Sequence, residues 1–189
     1  MMLSRRSESS VLRLRTSPGT ARISLRRGVV RTEKFLCAVA AGGFILKKEW
    51  AIESAKAGKL LPEEKYALKD PGNKHGVDLQ ASLERARAGK LFAGKTFYVS
   101  GKSVAASIPL LRNVVGVAGG QLNQVQKLTQ RIIGGGPERY AVSSADDVSV
   151  WRQLSEGGMP VYSVELIIAG TLHQEFDLEK YALPPVESE

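Results

Sequence analysis

Two segments of this 189-residue chain have nearly the same sequence pattern. Residues 49–68 begin with Glu-Trp-Ala-Ile, pass through Gly58 and end in Lys-Tyr-Ala-Leu. Residues 165–183 begin with Glu-Leu-Ile-Ile, pass through Gly170 and end in the same four residues. The tails lie 115 residues apart and the leading glutamates 116, which exceeds the periods of about 20–50 residues typical of solenoids and propellers. The repeat therefore predicts two copies of a small domain, and we expect a functional site where the copies meet.

The composition is that of an ordinary globular protein, with 43% hydrophobic and 24% charged residues. The single cysteine, Cys37, excludes an internal disulfide, and two histidines, His75 and His173, are too few to favour a zinc centre. No apolar run approaches the roughly 18 residues that cross a bilayer. We therefore expect no metal site, no cofactor and no membrane partner.

The net charge of +8 is concentrated at the start of the chain. Residues 1–30 carry seven arginines against one acid, Glu8, so the remaining residues are almost balanced and lack the basic footprint of a dedicated DNA-binding domain. Residues 1–21 are rich in Arg, Ser and Thr, which predicts a disordered basic leader and allows a weak contact with nucleic acid through residues 1–30. The same composition is also typical of a mitochondrial transit peptide.

Beyond the leader, strands alternate with helices, which predicts an α/β fold with a parallel sheet covered on both faces. Thr32 is positioned to cap the first helix, and Gly42-Gly43 follows its end. The turn-rich sequence Asp-Pro-Gly-Asn at 70–73 predicts a linker. Strands are predicted at 22–25, 44–46, 96–99, 121–122, 140–142 and 160–162, and helices at 32–41, 50–57, 78–88, 105–115, 146–154 and 164–169. We interpret residues 123–138 as an irregular excursion, and we expect Trp50 and Trp151 to be core residues.

The order β-α-β-β-α-β-α, with Gly119-Gly120 after a helix and a Glu-Trp after a strand, resembles the BRCT domain. Residues 31–38 (Arg-Thr-Glu-Lys-Phe-Leu-Cys-Ala), 76–87 and 91–94 resemble the C-terminal tandem BRCT module of the mediator of DNA damage checkpoint family. The resemblance covers about residues 30–184. It implies two BRCT repeats, each a small parallel four-stranded sheet flanked by helices. The predicted organisation is a partial first repeat at 22–70, a linker with a helix at 71–90, a complete second repeat at 91–184 and a tail at 185–189.

The resemblance also implies a phosphopeptide site. Lys34, with Thr32, matches the place of the residues that bind the phosphoserine phosphate, and Arg31 matches the arginine that binds the peptide main chain or a terminal carboxylate. This chemistry is reasonable because a lysine beside a helix N-terminus favours a dianion, and the guanidinium fork fits a carboxylate. The specificity groove is placed near Leu36, Ala106 and Ile168. The implied partner is a phosphorylated protein, with a histone tail among the candidates, and the implied location is the nucleus.

The first repeat departs from the family pattern. A strand ending in Ser/Thr-Gly, a helix and another strand should precede Lys34, but only 33 residues are present and most of them are Arg/Ser-rich. The first repeat is therefore predicted to be truncated at its N-terminus, with Thr16 or Ser17 in a short strand from Val11 to Gly19 as a substitute. In the second repeat, Ser100-Gly101 has the pocket pattern, at a place where phosphate binding is less usual in the family.

No catalytic constellation can be assembled from the sequence. Gly101-Lys102-Ser103 follows a strand, but Thr96 stands where the first glycine of a P-loop is needed. We therefore predict a non-enzymatic scaffold in DNA-damage signalling and repair. Two alternatives stay open at this point, namely a scaffold that binds partners without phosphate and a fragment of a repair enzyme that binds DNA through the basic leader.

Overall fold

The computed structural model describes residues 11–13, 22–26, 29–69 and 76–186. The strands are β1 (Val11–Arg13), β2 (Arg22–Arg26), β3 (Phe44–Lys47), β4 (Thr96–Val99), β5 (Gln121–Gln124), β6 (Arg139–Ser143) and β7 (Val161–Ser163). The helices are α1 (Glu33–Ala40), α2 (Glu49–Ala57), α3 (Leu79–Ala88), α4 (Ile108–Val117), α5 (Gln130–Ile133), α6 (Val148–Glu156), α7 (Glu165–His173) and α8 (Leu178–Tyr181). Short 3-10 turns cover Glu63–Tyr66, Ala105–Ser107 and Ala145–Asp147. None of the helices in these ranges is long and apolar enough to span a bilayer.

The second sheet has the predicted parallel arrangement. Its strand order is β5-β4-β6-β7, and every neighbouring pair is parallel. Half-buried and fully buried residues alternate along β4, and the fully buried ones are Phe97 and Val99. We call β4–β7 with α4–α8 the second unit, and β1–β3 with α1, α2 and the segment to Leu68 the first unit. Helix α3 connects them, and the main cluster of buried apolar residues extends across both units, with a smaller separate cluster in each.

The first sheet departs from the expected parallel arrangement in one strand. Its order is β1-β2-β3, with β2 and β3 parallel but β1 antiparallel to β2. Only eight residues separate Arg13 from Arg22, which is too short for the crossover of a dozen or more residues that a parallel pair needs. Strand β2 confirms the strand predicted at 22–25. Strand β1 lies in the leader predicted to be disordered, at the start of the short substitute strand predicted there from Val11 to Gly19. The rest of the leader, with Thr16 and Ser17, falls outside the described residues.

The repeated Lys-Tyr-Ala-Leu tails occupy equivalent places in the two units. Ala67 forms an antiparallel bridge to Leu46 of β3, and Ala182 forms the same bridge to Tyr162 of β7. The following leucine donates its backbone N–H to a strand carbonyl in each case, over 2.8 Å in the first unit and 2.7 Å in the second. The repeat found in the sequence is therefore a repeat of structure.

Helix α1 of the first unit corresponds to α6 of the second at an offset of 116 residues. Three backbone hydrogen bonds at the helix ends repeat at this offset: Gly43 to Ala38 corresponds to Met159 to Leu154, Gly42 to Val39 corresponds to Gly158 to Ser155, and Ala41 to Cys37 corresponds to Gly157 to Gln153. The left-handed glycines after the two helices, Gly42 and Gly158, match as well. Trp50 and its counterpart Leu166 are both buried, and Trp151 is buried too, as expected for core residues.

The same offset corrects the end of α7. From the sequence pattern, Gly170 is expected to be the counterpart of Gly58, and the last helix is predicted to end at residue 169. The helix continues to His173, and the left-handed residue that ends it is Gln174 (φ 51°), the true counterpart of Gly58 (φ 63°). Gly170 lies inside α7, where a Cβ would come within 2.9 Å of the Glu175 carbonyl oxygen. A glycine is therefore favoured at position 170, because the backbone at Glu175 lies too close to leave room for a side chain.

An ion pair and the contacting rings of Tyr140 and Phe176 join the starts of β4 and β6 to the segment after α7. The Lys95 ammonium lies 2.5 Å from a Glu138 carboxylate oxygen and 4.9 Å from the centre of the Phe176 ring. The Tyr140 hydroxyl donates to the same carboxylate over 2.9 Å. Burial, followed by the hydrogen bond to Glu138, raises the pKa of Tyr140 to about 12.

The raised pKa of Tyr140 predicts a pH-dependent stability at alkaline pH. Between about 10, the ordinary value, and about 12, the folded chain keeps a proton that the unfolded chain loses. Stability should therefore decrease as the pH rises through this window, and Tyr140→Phe should reduce the decrease. Chemical denaturation at a series of alkaline pH values would measure it. If the free energy of unfolding decreased equally with pH in the variant and in the parent chain, the raised pKa of Tyr140 would not be the cause of the decrease.

Candidate functional site

The N-terminus of α1 presents unused hydrogen-bonding groups at the boundary between the units. Thr32 stands at the N-cap position with extended backbone angles, and its carbonyl oxygen accepts the N–H groups of Phe35 and Leu36 at 3.0 and 2.9 Å. The amides of Glu33 and Lys34 have no carbonyl one turn earlier in the helix. The predicted side-chain cap is not formed, because the Thr32 hydroxyl makes no hydrogen bond to the helix. These two amides and the Thr32 hydroxyl could therefore all donate hydrogen bonds to one bound anion.

Lys34 lies exposed in the first turn of α1. Within the described part of the chain its ammonium has no ion pair or hydrogen bond. The acid beside it, Glu33, is directed to the second unit, where its carboxylate accepts a hydrogen bond from the Asn113 amide over 2.8 Å. The positive charge of Lys34 thus remains available at the positive end of the helix dipole.

Arg31 connects α1 to the second unit. Its guanidinium forms an ion pair with the carboxylate of Glu165, in the first turn of α7, and both side chains stay partly exposed. The Glu165 backbone N–H is held in turn by the Ser163 hydroxyl at 3.3 Å. A guanidinium carries five donors, so one carboxylate partner leaves further N–H groups for a ligand. Glu165 therefore orients Arg31 without filling its hydrogen-bonding capacity.

The residues predicted to line the specificity groove have different environments. Ala106 is exposed in the turn before α4, and Ile168 is half-buried on α7. Leu36, in contrast, is fully buried, so its placement on the groove wall is wrong. Its counterpart in the second unit at the 116-residue offset, Arg152, is exposed on α6. Leu36 is buried because α1, besides covering its own sheet, packs against α4 and α7 of the second unit.

Sequence reasoning proposes Arg31, Thr32 and Lys34 as site residues but gives no sign of Glu165 and Asn113, which contact Arg31 and Glu33. In the sequence, Glu165 stands out only as the leading glutamate of the repeat. Its counterpart Glu49 begins α2, at the corresponding place in the first unit. The pairing of Arg31 with Glu165 joins residues 134 positions apart, so only the packing of α7 beside α1 reveals it.

The comparisons with known proteins agree with this architecture. Residues 90–182 match the family model of the BRCT domain. Human mediator of DNA damage checkpoint protein 1 is 31% identical over 159 residues, a region that covers 83% of this chain and 7% of that protein. The chain therefore corresponds to a small part of this relative.

Solved structures share the fold across both units. The crystal structure of the S. pombe Brc1 BRCT5-BRCT6 domains matches with a TM-score of 0.72 and 24% identity, covering 82% of this chain and 79% of that one. The structure of Rtt107p in complex with a phosphorylated histone matches with a TM-score of 0.63 and 16% identity, covering 87% and 76%. With its α/β fold and these matches, the chain belongs to the BRCT-domain proteins, and residues 90–182 form a BRCT domain.

Proposed function

We propose that this chain is a non-enzymatic module that binds a phosphoserine peptide in nuclear DNA-damage signalling. The observation that carries the proposal is Lys34 at the start of α1, which has no ionic partner among the described residues. Arg31 lies close to it in the chain and reaches the second unit through Glu165. The proposed site therefore lies at the boundary between the two repeats, where the duplication led us to expect it.

The geometry suits a phosphate dianion on one side and a peptide backbone on the other. Lys34, its own amide and that of Glu33 supply donors and positive charge for phosphate oxygens. The donors of Arg31 that Glu165 leaves free fit a main-chain carbonyl or a terminal carboxylate. Ala106 and Ile168, on elements of the second unit, are candidates for contacts with the residues that follow the phosphoserine.

The relatives support the pathway and the kind of partner. A checkpoint mediator is among the similar proteins, and Rtt107p shares the fold and is solved with a phosphorylated histone. We therefore propose a phosphorylated protein as the partner and a histone tail as a first candidate. The contact of residues 1–30 with nucleic acid stays a prediction.

Fluorescence titration with two labelled peptides that differ only in phosphorylation of one serine tests the proposal. We expect the phosphorylated peptide to bind at least about tenfold more tightly, because hydrogen bonds to charged groups contribute about 1.5–3 kcal/mol each. Repeating the titration with C-terminally amidated peptides shows whether Arg31 binds a terminal carboxylate. Equal affinities for the phosphorylated and unphosphorylated peptides would remove the phosphate claim and favour a phosphate-independent scaffold.

A further inference from the structure

The loop after β4 in the second unit carries the Ser-Gly pattern of a phosphate pocket, and an internal carboxylate occupies it. In the loop after β4, the N–H groups of Lys102 and Ser103 donate to the two carboxylate oxygens of Asp147 at 3.1 and 3.0 Å. Consecutive backbone N–H groups directed at one anion form a nest, which elsewhere holds phosphate. In this unit, the anion in the nest belongs to the chain itself.

The preceding residues of this loop are also committed to internal contacts. Ser100 is buried, and its hydroxyl donates to the Gln126 carbonyl oxygen over 2.9 Å. The Ser100 carbonyl oxygen accepts the Ser143 hydroxyl over 2.7 Å. The Ser-Gly pattern that marks a phosphate pocket in the sequence is therefore used here to hold β4, β6 and the segment after β5 together.

The backbone at Gly101 lies close to the same Asp147 carboxylate. Its φ of 127° is one that side chains rarely allow, and a Cβ at this position would come within 2.2 Å of an Asp147 carboxylate oxygen. The loop can therefore approach Asp147 this closely only with glycine at position 101.

The 116-residue offset shows what changed between the two copies. Asp147 is the counterpart of Arg31, and Val150 is the counterpart of Lys34. The position of each cation in the first unit thus holds an acid or an apolar side chain in the second. A phosphate approaching this nest would meet a carboxylate already hydrogen-bonded to it and no lysine at the helix start.

We infer that Asp147 is a specificity-determining residue that closes the second unit's nest to external anions and confines phosphate recognition to the first unit. The inference bears on the proposed function, because it states which copy can take the phosphate. It rests on the proposed function for the assignment of phosphate to the first unit. The contacts that close the nest lie in the second unit, however, and their test does not depend on Lys34.

Nuclear magnetic resonance titration of the full chain with inorganic phosphate tests the inference. In the parent protein, the amide signals of Lys102 and Ser103 should not respond to phosphate. In Asp147→Ala they should move progressively and saturate, because the emptied nest can accept the ion. Asp146→Ala is the matched control, because it removes the same charge one position earlier, from a carboxylate that is hydrogen-bonded to Ser144 and not to the loop. In this variant, phosphate should not shift the amide signals of Lys102 and Ser103.

Two results would overturn the inference. One is a saturable shift of the Lys102 and Ser103 amide signals on addition of phosphate to the parent protein. The other is the absence of such a shift in a folded Asp147→Ala protein. If Asp147→Ala is too unstable for this measurement, thermal unfolding replaces it. Phosphate should then raise the unfolding temperature of this variant more than that of the parent or of Asp146→Ala by mass action. Equal increases in all three proteins would contradict Asp147 as the closing group.

Discussion

Lys34→Ala is expected to weaken binding of a phosphoserine peptide by about 10- to 100-fold and to leave the weak binding of the unphosphorylated peptide unchanged. The size follows from a loss of about 1.5–3 kcal/mol for a hydrogen bond to a charged group. Lys34 is exposed and has no partner within the described ranges, so its removal should cost little stability. Titration of the two peptides against the variant measures both effects.

Lys56→Ala provides the matched control for this experiment. Lys56 is an exposed lysine of the first unit that lies in the last turn of α2, away from the start of α1. The substitution removes the same charge and should preserve the preference for the phosphorylated peptide. An equal loss of affinity in both variants would mean that only net charge attracts the peptide, and the site at α1 would be rejected.

Leu36→Ala is expected to lower the free energy of unfolding by about 2–5 kcal/mol, the usual cost of truncating a fully buried leucine. The cause is a cavity where α1 packs between its own sheet and helices α4 and α7. Because this face joins the two units, we also expect unfolding to lose cooperativity, with separate transitions for the two units. Urea denaturation followed by two spectroscopic probes would detect both changes.

The second unit supplies the matched control for this variant. Arg152 occupies the equivalent place on α6 but is exposed, with Glu156 as a partner at 4.0 Å. Arg152→Ala should change the stability by no more than about 0.5 kcal/mol, as is usual for surface positions. Comparable losses for the two variants would show that α1 does not have the interfacial role assigned to it.

The fold was largely predictable because the local signals in the sequence agree with one another. The repeat, the alternation of strands and helices, and the glycines at 42 and 58 placed most elements close to their observed bounds. The antiparallel direction of β1 was the main departure, since the direction of a strand depends on the length of its connection more than on its own residues. The extension of α7 through Gly170 was missed because a glycine inside a helix is more often its end.

Two features of the candidate site, the burial of Leu36 and the pairing of Arg31 with Glu165, were not predicted from the sequence, for different reasons. Leu36 is apolar in a helical pattern, but periodicity does not show which part of an apolar face meets a second unit. Comparison with Arg152 does show it, and that comparison needs the 116-residue offset fixed by Gly42 and Gly158. The pairing of Arg31 with Glu165 depends on the packing of two distant helices, for which the sequence offers no local signal.

The bridges made by the two Lys-Tyr-Ala-Leu tails bear on how a duplicated chain avoids joining its sheets to those of other molecules. Strands β3 and β7 are the outermost strands on one side of their sheets, and an uncovered outer strand is a template for another molecule. Ala67 and Ala182 each cover part of that row of backbone groups from within the same unit. Two copies joined in one polypeptide could otherwise exchange or extend strands with each other, so each copy carries its own protection against self-association.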